Sequence, residues 1–265
     1  MDIPMTDKIL TKQNGEIARI IFNQPEKRNA VSLEMWEAVE AAVTRFAADD
    51  SVRILILSGA GGKAFVSGAD VSKFETERAS EEAVANYNAT TKRVYDMVEA
   101  FPKPTIAQID GFCVGGGVAL SLCCDLRICG EGSNFAVPAA KLGLGYAYPG
   151  LKRLVDVVGP AFAKEIFFTA RRFNAEECRT MGLVNRVVPD ADVARVVEET
   201  AKMIAENAPM TVASSKFIIG QTLLPESGQD LAACDARVKA CFDSKDYIEG
   251  RRAFLEKRKA NFVNA

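Results

Sequence analysis

The chain has 265 residues, 48% of them hydrophobic and 26% charged, with a formal net charge of −2. This is an ordinary globular composition with room for a sizeable core, and it has no basic surplus for nucleic acid or an anionic membrane. It contains no histidine, which excludes Ser-His-Asp and Cys-His catalysis and histidine metal ligands, so proton transfer falls to carboxylates, tyrosine, lysine, cysteine or water.

The opening stretch carries no apolar signal segment, and no run reaches the ~18 apolar residues of a membrane span. A cytoplasmic protein with no membrane association is expected. "KILTKQNGEIARIIFN" (8–23) reads as two strands around Asn14-Gly15, a hairpin signal ended by Pro25. "SLEMWEAVEAAVTRFAAD" (32–49) reads as a helix with Ser32 as N-cap, and Leu33, Trp36, Val39, Val43 and Phe46 near one face. Strands are predicted at 52–60, 103–111 and 125–131, with helix in one or two pieces over 71–101. Strands alternating with helices predict a mainly parallel sheet with crossover helices. Beyond residue 148 the pattern is mostly helical, with segments at 191–209, 211–224, 227–243 and 245–259.

Seven cysteines are present and none forms a C-x-x-C pair. The odd count and the apolar company of Cys113, Cys123, Cys124 and Cys129 predict reduced core thiols.

Two strand-to-helix junctions are rich in glycine: "GAGGKAFVSGADVSKF" (59–74) and "GFCVGGGVALSLCCD" (111–125). Neither is a phosphate loop, since Lys63 is followed by Ala64 and no G-x-G-x-x-G spacing occurs. Either alone reads as close helix–sheet packing. Two in succession also fit a site of paired backbone donors beyond the carboxyl ends of the strands. Such a pair would stabilise negative charge on a carbonyl oxygen, where losing one donor costs about 3–4 kcal/mol in the barrier.

"NQPEKRNAVSLEMWEAV" (23–39), "KAFVSGADVSKF" (63–74), "KPTIAQIDGFCVGGGVALSLCCDLRI" (103–128) and "ARRFNAEECRTMGLVNRVV" (170–188) together resemble the enoyl-CoA hydratase/isomerase (crotonase) superfamily, over nearly the whole chain. The resemblance implies an α/β fold: a crotonase-like spiral of ββα units with a helical C-terminal trimerisation region. Residues 1–190 would form the core with the CoA-thioester site. Residues 191–265 would pack on that core and on neighbouring subunits, in a trimer or a dimer of trimers. The implied oxyanion donors are the amides of Ala69 and Gly116. Lys27, Arg28 and Ala30 would lie along the coenzyme, and Lys63, Ala64, Gly68, Asp70 and Val71 would line its pantetheine and adenine path. Phe254 and Lys257 would reach a nucleotide, sometimes a neighbour's. Coenzyme A enters as part of the substrate, and no tightly bound cofactor or metal is implied.

The pattern breaks at two positions. Hydratases of the family carry a glutamate two residues after the glycine triplet and another after the following proline, where this chain has Ala119 and Ala139. Syn-hydration needs one group to activate water and another to deliver a proton. Tyr146 in "LGLGYAYPG" aligns with the tyrosine of methylmalonyl-CoA decarboxylase-type members, and Tyr148 lies nearby. Those members keep the first glutamate, and the alternative for Tyr146 is a packing aromatic. Asp70 and Asp125 also fit structural roles. The readings left open are an acyl-CoA enzyme that stabilises a thioester enolate, a decarboxylase of a malonyl-type CoA thioester, and a catalytically silent CoA-thioester-binding protein. RNA binding, known for some members, finds no basic stretch denser than "EKRKANF".

Overall fold

A computed structural model describes residues 6–73, 77 and 79–264. The predicted hairpin forms from β1 (Ile9–Asn14) and β2 (Ile17–Phe22), paired antiparallel about a left-handed Gly15. Helix α1 (Leu33–Ala48) follows, then β3 (Ile54–Gly59) and β4 (Ala64–Val66). After helix α2 (Glu81–Glu99) come β5 (Thr105–Ile109), β6 (Phe112–Val114) and α3 (Gly116–Leu122). The next unit is β7 (Leu126–Gly130), β8 (Asn134–Ala136) and α4 (Tyr148–Thr169). Strand β9 (Phe173–Asn174), α5 (Ala175–Thr180) and β10 (Arg186–Val188) lead to four C-terminal helices. These are α6 (Val193–Ala205), α7 (Pro209–Thr222), α8 (Leu231–Asp243) and α9 (Lys245–Glu256).

The strand pairs β3–β4, β5–β6 and β7–β8 each give one strand to each of two sheets. The larger has the order β1-β2-β3-β5-β7-β10 and is parallel after its first pair. The smaller has the order β4-β6-β8-β9 and is parallel until its last pair. A helix follows each strand pair, so the chain winds as a spiral of ββα units. The expected α/β class and parallel sheet are therefore present. Strands β4, β6, β8, β9 and β10 leave no signal in the sequence, because two or three residues are too short to show an alternation.

The apolar run of β3 is explained by burial on both faces. Leu55 and Leu57 face the main core with Phe22, Trp36 and Phe65. Ile54 and Ile56 face the other side with Ile106 and Ile128, where Val193, Val196, Val197 and Ala201 of α6 cover them. Ser32 stands at the N-cap of α1 as expected, but its hydroxyl caps nothing among the described residues. Instead the Leu33 amide donates to the Glu77 carboxylate at 3.1 Å, a negative charge well placed at a helix N-terminus. The predicted helical segment 71–101 is a 3-10 turn at Val71–Lys73 and then α2; residues 74–76 and 78 lie outside the described residues. All seven cysteines are unpaired, and only Cys241 is not buried. Among the described residues, no helix is long and apolar enough to cross a membrane.

Candidate active site

Strands β4 and β6 run parallel with Val66 opposite Cys113. Ala69 and Gly116 each stand three residues beyond that pair, just past the ends of the two strands. A Cβ placed on Gly116 would lie 3.8 Å from the Gly68 Cα, and one on Gly68 would lie 3.5 Å from the Val114 carbonyl. The two glycine junctions are therefore neighbours.

The amides at these positions are uncommitted. Ala69 is bridged to Val31, but the bridge uses the Val31 amide to Gly68 O (2.8 Å) and the Asp70 amide to Val31 O (3.0 Å). Successive N–H groups of extended chain point opposite ways, so the Ala69 amide faces away from Val31. Gly116 is the first residue of α3, where amides have no intrahelical acceptor. Among the described residues, no acceptor takes either amide. Ala69, Gly116 and Ala119 are partly exposed, while Gly117, Val118 and Leu120 beside them are buried.

Each glycine of the triplet has its own physical reason. Gly115 adopts φ +53°, in the region that favours glycine. A Cβ on Gly117 would come within 2.1 Å of the Val66 carbonyl, so glycine lets α3 pack against β4. Gly116 has no left-handed strain; a Cβ there would instead stand 3.3 Å from the Tyr95 hydroxyl. At the far end of α3, the buried Arg127 guanidinium donates to Ser121 O (3.1 Å), Cys124 O (2.7 Å) and Leu183 O (2.8 Å). It satisfies orphan carbonyls of the helix C-terminus and places a positive charge at the favourable end.

Asp70 is only 5% exposed. Burial opposes its ionisation, but hydrogen bonds from Lys27 (2.9 Å), Ser72 (2.6 Å) and Gln24 (3.4 Å) prevail and bring it down to about 2. Lys27 also donates to the Ser72 hydroxyl, so its ammonium serves this cluster. Arg28 takes a left-handed conformation and lies 4.9 Å over the Phe112 ring, with Arg172 at 5.4 Å from the same ring. Lys63 is exposed, and its carbonyl accepts from the Phe112 amide. Ala64 is buried and Ala30 partly so. Gly68 has φ +108°, and the side chain of Val71 lies outside what the structure describes.

One organising residue was missed. Asn29 is fully buried with φ +56°, accepts from the Gln24 amide (2.9 Å), and donates to Ala60 O (3.0 Å) and Ala64 O (2.7 Å). It clamps the 24–30 turn onto β4. Its signal was available, since asparagine is enriched in left-handed turn positions.

The remaining candidates are more scattered. Tyr146 is partly buried, packs edge-on to Phe167 at 4.9 Å, and has its phenol pushed up by burial. Tyr148 is 77% exposed. Ala139 is buried in the main core. Phe254 lines a groove of about 750 Å³ between α7, α8 and α9, whose walls include none of the other candidate positions. Lys257 ends α9 in a left-handed conformation.

Comparison with known proteins follows the same outline. The enoyl-CoA hydratase/isomerase family model matches residues 12–265. Crotonyl-CoA hydratase of Syntrophomonas wolfei is 33% identical, over 97% of this chain and 98% of that protein. Carnitinyl-CoA dehydratase of Salmonella typhi is 32% identical, over 96% of this chain and 97% of that protein. The crystal structure of an enoyl-CoA hydratase/carnithine racemase from Magnetospirillum magneticum superposes with a TM-score of 0.91 at 39% identity, covering 98% of this chain and 97% of that one. With the family model spanning almost the entire chain and the spiral fold shared, this chain belongs to the enoyl-CoA hydratase/isomerase family.

Proposed function

We propose that the chain is an acyl-CoA thioester enzyme whose retained step is stabilisation of a thioester enolate between the amides of Ala69 and Gly116. The observation that carries this reading is the pair of uncommitted amides at two glycine junctions that neighbour each other beyond parallel β4 and β6. The relatives named for crotonyl-CoA and carnitinyl-CoA support a CoA thioester as substrate. Lys27, Arg28, Ala30, Lys63, Ala64, Gly68, Asp70 and Val71 would flank the coenzyme, with Phe254 and Lys257 reaching a nucleotide.

Ala119 and Ala139 favour a second reading, decarboxylation of a malonyl-type CoA thioester. Hydration by two carboxylates has no side chain at these positions to activate water. Decarboxylation needs less. The bond from Cα to the carboxylate carbon breaks, CO₂ leaves, and the electron pair passes to the thioester oxygen held by the two amides. The enolate Cα then takes a proton from water or from Tyr146. A catalytically silent CoA-thioester binder shares the same site without turnover.

Self-association as a trimer or dimer of trimers belongs to the same proposal. Phe162 and Phe168 on α4, Ile219 on α7, Leu223 just after it, and Leu255 on α9 are exposed large apolar side chains. Val238 and Phe242 of α8 and Phe254 and Leu255 of α9 line one groove, and a contiguous apolar surface marks a place for a partner. A cytoplasmic location completes the proposal.

The test is incubation with a panel of enoyl-, dienoyl- and malonyl-CoA thioesters, read by mass spectrometry. Gain of water, isomerisation or loss of CO₂ identifies the reaction. Tight thioester binding without any product points to the silent binder, and failure to bind any thioester defeats the assignment altogether.

A further inference from the structure

We infer that Tyr95 is a positioning residue that fixes the direction of the Gly116 amide, an inference that rests on the oxyanion reading above. Its hydroxyl donates to the Gly116 carbonyl at 3.2 Å. That carbonyl is at the first turn of α3, so the bond constrains the residue whose own N–H is the proposed donor. The same hydroxyl occupies the space a Cβ on Gly116 would crowd. The glycine at 116 and the tyrosine at 95 are therefore sterically matched.

The phenol is also tied to the other donor loop. The Tyr95 ring packs edge-on to Trp36 at 5.4 Å and 82°. The Trp36 indole N–H donates to the Tyr87 hydroxyl at 3.2 Å, and that hydroxyl donates to Val31 O at 3.5 Å. Val31 is the residue bridged to Ala69. One aromatic line thus runs from the Gly116 junction to the Ala69 junction. Helix α2, which carries Tyr95, is anchored by Arg153 of α4, which pairs with Asp96 and Glu99 at 2.7 Å. Burial pushes the Tyr95 phenol well above its ordinary value, so it stays a neutral donor. A group acting through a donor's orientation should govern how strongly a bound carbonyl is polarised more than how tightly the ligand binds.

The test uses butyryl-CoA carrying ¹³C at the thioester carbonyl, with its stretch read by infrared difference spectroscopy and its affinity by calorimetry. The wild-type protein should lower the carbonyl frequency relative to free ligand. Tyr95→Phe should lose more than half of that shift while Kd changes by less than about threefold. Val98→Ala, which opens a cavity in the core under the same helix and leaves the Tyr95 hydroxyl in place, should lower thermal stability and keep the full shift. If Tyr95→Phe does not fold, Gly116→Ala keeps the amide and presses a Cβ against the hydroxyl at 3.3 Å, and a smaller partial loss is expected. A full shift in the folded Tyr95→Phe protein, or in Gly116→Ala where Phe fails, overturns the assignment while leaving the two-amide site standing. Binding of butyryl-CoA by the wild type with no shift at all defeats the two-amide site itself, and the role of Tyr95 with it.

Discussion

The Lys27 ammonium lies 2.9 Å from the Asp70 carboxylate, and this pair joins two segments 43 residues apart at the edge of the Ala69 junction. Lysine 27 is 42% exposed on its side chain while Asp70 is buried, so screening acts on one partner only. The carboxylate also takes the Ser72 amide at 3.1 Å. The cluster reads as a clasp on the loop that carries the Ala69 amide.

Asp70→Ala should therefore cost about 1–3 kcal/mol, because it removes the buried carboxylate that accepts from Lys27, Ser72 and Gln24. The sign of the pH dependence follows from the lowered value. A carboxyl at about 2 when folded, against an ordinary 3.8, contributes stability that is complete above the ordinary value and lost as pH falls toward 2. The stability gap between wild type and Asp70→Ala, measured by urea titration, should be flat from about pH 5 upward and shrink from pH 4 toward pH 2. A gap that stays constant across that acid window contradicts the clasp.

Gly116→Pro removes the amide N–H, and its Cβ at 3.3 Å from the Tyr95 hydroxyl asks for only a small shift of that side chain. Proline is favoured at the first position of a helix, where its missing N–H has no helical partner to lose. Gly116 holds that position in α3. The variant should keep its circular dichroism spectrum and lose any thioester turnover by about 100-fold or more. Turnover at the wild-type rate would remove Gly116 from the donor pair.

The sequence disclosed the junctions and concealed their supports. Glycine runs are legible because only backbone needs explain them, and both junctions fall where strands end. The alternation of strands and helices is legible because β3 and β5 are long and apolar. Strands of three residues such as β4 and β6 carry no period, although they bring the two junctions side by side. The Glu77 cap on α1 acts across 44 residues, beyond any local capping pattern. Tyr95 is adjacent to Val94 and three residues before Val98, both buried. From sequence it reads as one more residue near the core face of an amphipathic helix.

The two alanines at the proposed glutamate positions should respond differently to replacement. Ala119 is partly exposed, whereas Ala139 is 4% exposed within the main core. Ala119→Glu can turn its carboxylate toward water and should cost less than about 1.5 kcal/mol. Ala139→Glu buries a carboxyl among apolar neighbours and should cost about 3 kcal/mol or more. Chemical denaturation of the two single variants compares them directly. Equal costs would mean that Ala139 also opens on accessible space. The double variant can then be assayed with crotonyl-CoA, where gain of water would show that the pocket accepts the hydration geometry.

The thiols give a probe of self-association. Burial pushes Cys124 and Cys129 to about 12 and raises Cys113, Cys123 and Cys178 as well. A thiol so protonated and enclosed is a poor nucleophile. These five should resist iodoacetamide at pH 8 in the native protein and react promptly in urea. Cys241 differs, being half-buried on the wall of the groove between α7, α8 and α9. At low protein concentration it should alkylate first, as peptide mass mapping would show. If a second copy of the chain covers that groove, the Cys241 rate should fall as protein concentration rises through the association range, while the five core thiols remain slow throughout. A Cys241 rate independent of concentration, alongside an oligomer seen by light scattering, would place the subunit contact on another face, with the exposed Phe162 and Phe168 of α4 as the next surface to probe.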